Sequence, residues 1–410
     1  FSSARGAYTA AFTPAVPAAA FGAVRDHLLA GRRSLPDATM QHLWSRIANA
    51  SLTRRLFHWE LEFPEVFFDA HGRRRADAGF DAVLGNPPWD MVRADAGDDR
   101  AGQRASSSTL VRFARDSGVY DVRAGGQANR YQLFLERAVA LTRPGGRIGM
   151  IVPFGLLSDA GSAALRRWLF SRCQVDRLVG FDNRAAVFPV HRSLRFVLLS
   201  ATAGGESDEI LCRFGESDAS ALDGAGAPDT RAPASWFPVR VNLPLLRRLS
   251  GDSLAVPDVR SPLDLALAER AAAMYLPLGH VRGWHARFAR ELNATEDRDC
   301  LRERPPGWPV LEGKHIVPFR ADATTVRWHV DEREVRQRLG ARAGRLRLAY
   351  RDVAGAANRI TLIAAVLPAR SASTHTLFCL QPGLPARAHH FLCAILNSVV
   401  LNFLARLWVG

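Results

Sequence analysis

The sequence predicts an α/β fold built around a partly parallel sheet, and three observations carry that expectation. Phe80-Asp81-Ala82-Val83-Leu84-Gly85 is an apolar, strand-like run that stops at Asn86-Pro87-Pro88-Trp89. Helical spacing over Tyr131 to Thr142 leads into a second apolar run, Ile148 to Val152, which stops at Pro153-Phe154. A helix over Ala160 to Phe170 then precedes a third run, Val175 to Phe181. Strands alternating with helices form sheets whose ligands bind at the carboxyl ends of the strands.

Each element has its own signal. Residues 1–56 read as a helical lead-in, with Gln41 to Leu56 amphipathic. The Phe80–Gly85 run reads as a buried strand emptying into a rigid loop. From Arg93 to Gln127 the chain is rich in Asp, Gly, Arg and Ser, and two readings stand: an insertion that closes over the site, or a solvated loop without a role. Tyr131, Phe134, Ala138 and Leu141 share a helical face and read as core. Val187-Phe188-Pro189 and the run Phe196-Val197-Leu198-Leu199 come next, followed by a Gly-, Ala-, Ser-, Asp- and Pro-rich stretch over 202–239 that reads as a loop or linker.

Helical signals dominate Val241 to Leu292, and a second α/β composition begins at Trp308. There Arg345-Leu346-Arg347-Leu348-Ala349-Tyr350-Arg351 alternates basic and apolar residues, as a strand with one face towards an anion would. Arg359 and Arg370 flank the next apolar run, Ile360 to Leu367. Strands presenting Arg347, Arg351 and Arg359 suit phosphate and guanine contacts, although a solvated face explains any single arginine.

Asn86-Pro87-Pro88-Trp89 carries the chemistry. Proline fixes its own φ and holds the preceding residue extended, so Asn86 and Pro87 are stiffly placed. The Asn86 side-chain oxygen and the Pro87 carbonyl are two acceptors followed by an aromatic plate, which suits gripping a planar –NH2 group such as a nucleobase exocyclic amine. The adenine N6 amine is conjugated with its ring and is a poor nucleophile. Acceptors on both its hydrogens draw the nitrogen towards tetrahedral geometry and aim its lone pair at an incoming methyl group. Trp89 would stack on a base swung out of the duplex. An ordinary Asn-Pro-Pro turn is the plain alternative, and the preceding strand and following aromatic weigh against it.

Composition narrows the partners. A length of 410 residues suggests two or three domains. A net charge of +14 and a pI near 10.8 suit a polyanion such as double-stranded DNA. Nearly all the basic residues are arginine, Lys314 being the single lysine, and such a skew also arises from genome base composition. Five scattered cysteines form no CxxC pair, which predicts a reducing, cytoplasmic setting and no zinc site. No apolar run reaches transmembrane length and no signal peptide is visible, so no membrane partner is expected.

Phe57-His58-Trp59-Glu60-Leu61-Glu62-Phe63-Pro64-Glu65-Val66-Phe67 followed by Gly79 to Trp89 resembles the adenine-specific DNA methyltransferases of type IIG restriction–modification systems. The similarity continues through Asn129 to Ala138, Gly146 to Pro153, Trp308 to Lys314, and Tyr350-Arg351-Asp352 to Pro368. It implies a Rossmann-like S-adenosylmethionine-dependent methyltransferase sheet, partial in this chain, followed by a mixed α/β target-recognition domain. The implied divisions are a lead-in at 1–56, a catalytic domain at 57–205, a linker and helical region at 206–305, and a truncated recognition domain at 306–410. It also implies S-adenosylmethionine as cofactor, Asn86 to Trp89 as the catalytic loop, and Phe188 facing Trp89 across the flipped base. A core phenylalanine is the plain alternative for Phe188. Asparagine rather than serine at position 86 favours adenine over cytosine within the resemblance.

A glycine-rich cofactor loop should precede Asn86, and no strand-Gly-x-Gly pattern is found there. The chain starts at Phe1 and stops at Gly410 beside an apolar helical segment, so a piece of a longer protein is expected. Glu62 and Glu65 are cofactor candidates by position, against the plainer reading of exposed loop carboxylates. Three functions compete: a site-specific adenine-N6 methyltransferase, a protein-glutamine or RNA methyltransferase using the same grip, and a non-catalytic DNA-binding remnant. The arginine-bearing region after residue 300 argues against the second, and the absent cofactor loop keeps the third in play. Pro257-Asp258 and Glu312-Gly313-Lys314 mimic a metal-dependent nuclease signature, but about 50 residues separate them and the resemblance assigns the triplet to the entry of the recognition domain.

Overall fold

The computed structural model describes residues 27, 31, 35–54, 57–89, 114, 119–121, 129–225, 234–293, 296–303, 305–352, 360–381 and 383–408. It divides into two compact units, Phe1–Val256 and Pro257–Gly410. The insertion expected over Arg93 to Gln127 lies outside the described residues, apart from residues 114 and 119–121.

The first unit is a mixed α/β structure, as expected. Helix α1 (Asp37–Arg54) and two single turns, α2 (Trp59–Glu62) and α3 (Pro64–Phe67), precede strand β1 (Phe80–Gly85). Helix α4 (Arg130–Leu141) leads to β2 (Thr142–Pro153). The turn α5 (Gly155–Ser158) and helix α6 (Ala163–Arg172) lead to β3 (Cys173–Asp182). Strands β4 (Arg195–Ala203), β5 (Glu209–Glu216) and β6 (Val239–Asn242), then helix α7 (Leu243–Ser250), complete the unit.

The sheet order is β1-β2-β4-β3-β5-β6. β1 runs parallel to β2 and β3 parallel to β5, while β4 is antiparallel to both β2 and β3. Strands β1, β2 and β3 therefore all point the same way, and Gly85, Pro153 and Asp182 end at one edge. Alternation along β2 separates two faces: Ile148, Met150 and Val152 are buried in the core with Tyr131, Leu135, Leu165 and Leu169 from the helices. The other face carries an aromatic cluster around Phe181, Phe196 and Phe237.

Three expectations change here. Among the described residues β1 stands at the sheet edge with β2 as its neighbour, and Leu84 is 79 % exposed, so there the run read as buried is covered on one side at most. On α4 Tyr131, Ala138 and Leu141 are buried as the spacing implies, but Phe134 is exposed and the neighbouring Leu135 is fully buried instead. The stretch read as a linker after residue 205 supplies β5 and β6, so the first unit continues to Val256 and the second starts well before residue 306. Gly79 before β1 is sterically required: its φ is 135°, and a Cβ there would stand 2.5 Å from the Arg143 nitrogen.

The second unit holds helix α8 (Pro262–Met274) and two small sheets. One has the order β15 (Ala372–Ser373), β9 (Trp308–Leu311), β12 (Trp328–Val330), β8 (Leu301–Arg302); the other β14 (Ala364–Leu367), β13 (Arg347–Arg351), β16 (Leu377–Leu380), β7 (Phe288–Ala289). A hairpin, β10 (Ile316–Val317) with β11 (Arg320–Ala321), and helices α9 (Glu332–Leu339), α10 (Ala386–Leu396) and α11 (Val399–Arg406) complete it. Among the described residues no single helix is long and apolar enough to cross a membrane; α10 and α11 pass that test only as a pair bent by 61°.

A buried ion pair organises this unit's interior. The Arg347 Nε lies 2.7 Å from the Glu291 carboxylate, with the side chains 3 % and 1 % exposed. The guanidinium also donates to the Ser371 carbonyl at 2.6 Å and the Arg345 carbonyl at 2.8 Å, and Ser373 donates to Glu291 at 2.9 Å. Removing one partner strands a charge in the interior. Arg347→Met should therefore lower unfolding free energy by about 3–5 kcal/mol, with Arg347→Met/Glu291→Leu recovering most of the loss. Urea unfolding of the two variants measures this; a single variant within about 1 kcal/mol of wild type contradicts the assignment.

Candidate active site

The first unit's carboxyl edge gathers the residues singled out by sequence. Asn86 is exposed at the end of β1, Pro87 is buried and Pro88 exposed, so the loop is anchored at its middle with Asn86 open to solvent. Trp89 ties the loop to the next strand. Its indole N–H donates to the Ile151 carbonyl of β2 at 3.3 Å, and its ring lies 5.7 Å from Phe196 at an interplanar angle of 31°.

Phe188 reaches the same cluster from the loop after β3. Its ring meets Trp89 edge to face at 5.5 Å and 74°, and Phe196 at 4.9 Å and 75°. Phe196 in turn stacks on Phe181, its cross-strand partner, at 5.1 Å and 4°. The sequence brings Trp89 and Phe188 together, but not as a slot. Their spacing is that of aromatic rings in direct contact, and a base fits between them only if one ring moves. In this arrangement both residues secure the loop on the sheet.

Sequence reasoning missed the residue that holds Phe188. Asn183, fully buried at the end of β3, donates to the Phe188 carbonyl at 3.1 Å and the Val190 carbonyl at 3.2 Å, and accepts from the Phe188 N–H at 3.0 Å. One primary amide thus satisfies three backbone groups of a loop that turns through Ala186 at a φ of 58°. Beside it Arg195 pairs with Asp182 at 2.9 Å and lies over the Phe154 ring at 4.0 Å, closing the edge between β2 and β3. The signal was available: Asn183 follows an apolar strand, as Asn86 does.

The cofactor and recognition candidates fare differently. Glu62 and Glu65 are both exposed. At the carboxyl edge β1 ends in Asn-Pro-Pro, β2 in Pro153-Phe154 and β3 in Asp182-Asn183, so the described residues do not build a glycine-rich cradle for S-adenosylmethionine. Arg347 requires correction: strand β13 forms as expected, but this arginine points into the interior ion pair with Glu291 and is closed to a phosphate. Arg351 is half-buried and its guanidinium donates to the Ile316 carbonyl, while Arg359 lies outside the described residues.

The nuclease-like residues are engaged otherwise: Lys314 pairs with Glu312 at 2.6 Å, and Asp258 with Arg260 at 3.2 Å. Among the described residues no group of three or more His, Cys, Asp or Glu is placed to hold a metal ion.

Asn183→Ala should cost about 1–3 kcal/mol, because it leaves buried backbone groups of the 183–190 loop without partners. Asn183→Asp should not restore it, since a carboxylate accepts from Phe188 N–H but repels the two carbonyls. Denaturant midpoints for both variants, with Trp fluorescence as the probe, decide; equal midpoints for wild type and Asn183→Ala would remove the loop-anchoring role.

Residues 23–188, the segment that includes the Asn86–Trp89 loop and Phe188, are similar to the sequence model of the Eco57I restriction-modification methylase. No curated protein matches the chain significantly. Among solved structures, the type IIL restriction-modification enzyme MmeI in complex with DNA shares 12 % identity, with 78 % of this chain and 43 % of that one covered and a TM-score of 0.44. The type IIG restriction endonuclease BpuSI shares 14 % identity over 72 % of this chain and 42 % of that one, with a TM-score of 0.32. The M protein of the type I restriction enzyme EcoKI shares 13 % identity over 80 % and 49 %, with a TM-score of 0.25. The chain spans less than half the length of each of these structures.

Proposed function

We propose that this chain is part of a site-specific DNA adenine-N6 methyltransferase of a restriction–modification system, with S-adenosylmethionine as methyl donor and double-stranded DNA as partner. The observation that carries the reading is the Asn86-Pro87-Pro88-Trp89 loop at the carboxyl edge of a mixed sheet, inside the segment that matches a restriction-modification methylase. Asn86 Oδ1 and the Pro87 carbonyl accept from the two N6 hydrogens, which localises the nitrogen lone pair and orients it. Pro88 contributes stiffness and Trp89 contributes position, through its bond to Ile151. An exposed ring surface of this cluster stacks on the flipped base, and the Trp89–Phe188 contact opens if the base is held on both sides.

No glycine-rich loop for the donor is found among the described residues. The type IIG architecture and a cytoplasmic setting belong to the same proposal. A non-catalytic DNA-binding role is the second reading, favoured by the lack of a cofactor cradle among the described residues.

The target base separates the readings. Mass spectrometry of nucleosides from DNA modified by the full-length protein should show N6-methyladenine. N4-methylcytosine alone would overturn the adenine assignment, and unmodified DNA would favour the non-catalytic role. Duplex binding should weaken steeply with salt, log K falling by roughly 0.9 for each phosphate contact per decade of salt. Arg347, buried with Glu291, should contribute nothing to that slope.

A further inference from the structure

The β10–β11 hairpin of the second unit has a two-residue tip, Pro318-Phe319, closed by the pairing of Val317 with Arg320. Proline at the first central position and a φ of 70° at the second make the pattern of a type II turn, whose second position favours glycine. Phenylalanine occupies it instead, in a left-handed conformation that crowds its Cβ against the backbone. The side chain gains no core in exchange, being 62 % exposed. A lone exposed phenylalanine is ordinary on a protein surface; one held at a glycine position without burial is not, and such outliers concentrate where a side chain is used.

The tip is rigidly mounted. The Phe319 N–H donates to the Ala364 carbonyl of β14 at 3.0 Å, and the Asp322 N–H to the His315 carbonyl at 2.9 Å. Ile316 is fully buried in the cluster with Leu311, Ala349 and Leu377, and its carbonyl accepts from Arg351. The hairpin's inner side is thus fixed to the fold while Val317, Phe319 and Arg320 face outward. Arg351, expected to contact DNA directly, serves here as part of the mounting.

We propose that Phe319 is a wedge that inserts between base pairs of duplex DNA, with Arg320 beside it on the phosphates; this rests on the DNA-binding reading above. A single flat ring on a stiff two-residue tip matches the apolar side chains that unstack a base step. The adjacent arginine and the chain's net charge of +14 favour a polyanion over an apolar groove on another protein.

The test uses the whole protein and two readouts, duplex affinity by fluorescence anisotropy and the linking number of a closed plasmid relaxed by topoisomerase in its presence. Wild type should bind and shift the linking number. Phe319→Gly, which suits the turn better, should keep or raise the melting temperature, bind roughly ten-fold more weakly and abolish the shift. Phe319→Leu should retain part of the shift. A Phe319→Gly protein that binds and unwinds like wild type overturns the wedge alone. Failure of the wild-type protein to bind duplex DNA overturns the DNA reading beneath it.

Discussion

The indole N–H of Trp89 donates to the Ile151 carbonyl at 3.3 Å, and the position of the whole candidate loop follows from that bond. Among the described residues β1 is paired on one side, with β2, so a tie at its carboxyl end adds to the hold of that single ladder. Two prolines remove backbone freedom between Gly85 and Trp89, and the indole then fixes the far end against β2 and Phe196. Stiffness between two anchors is what an acceptor pair needs if its contribution is to be preorganised. The Phe188 loop, pinned by Asn183, meets the same aromatic cluster from the β3 side, so two loops from different strands share one support.

The second unit uses charge in two opposed ways. Arg347 is spent on the interior, neutralised by Glu291 and satisfied by backbone carbonyls, whereas Arg320 stands exposed at a hairpin tip. Net charge alone does not distinguish the two. Burial does, because an arginine pulled from water needs its partners inside and has none left for a ligand.

Much of the first unit was legible in the sequence. The strands at Phe80–Gly85, Ile148–Val152 and Val175–Phe181 and the helix ending near Leu141 all stand close to where the apolar periods placed them. The shared edge of Asn86, Pro153 and Asp182 follows from strand direction, which alternation of helices and strands implies. What could not be read was tertiary. The exposure of Leu84 depends on what packs over its face of the sheet, which is a tertiary fact. The alternating arginines around Leu348 give a strand, but not which of its faces meets the interior ion pair. Phe134 and Leu135 differ by one helical position, and only packing chooses between them. Strand β5 does carry a period of two, with Ile210, Cys212 and Phe214 on its buried side. It lies in a stretch whose Gly-, Ala- and Pro-rich composition masked it, whereas the four residues of β6 are too few to give a periodic signal.

The role proposed for Asn86 is to grip an exocyclic amine. Single-turnover methylation by the full-length protein carrying Asn86→Ala, with duplex affinity measured in parallel, tests it most directly. The expected result is a loss of roughly 2–4 kcal/mol in transition-state stabilisation, about 30- to 1,000-fold in rate, with duplex affinity little changed. A variant that methylates adenine at the wild-type rate, or that loses rate only in proportion to lost DNA binding, would contradict it.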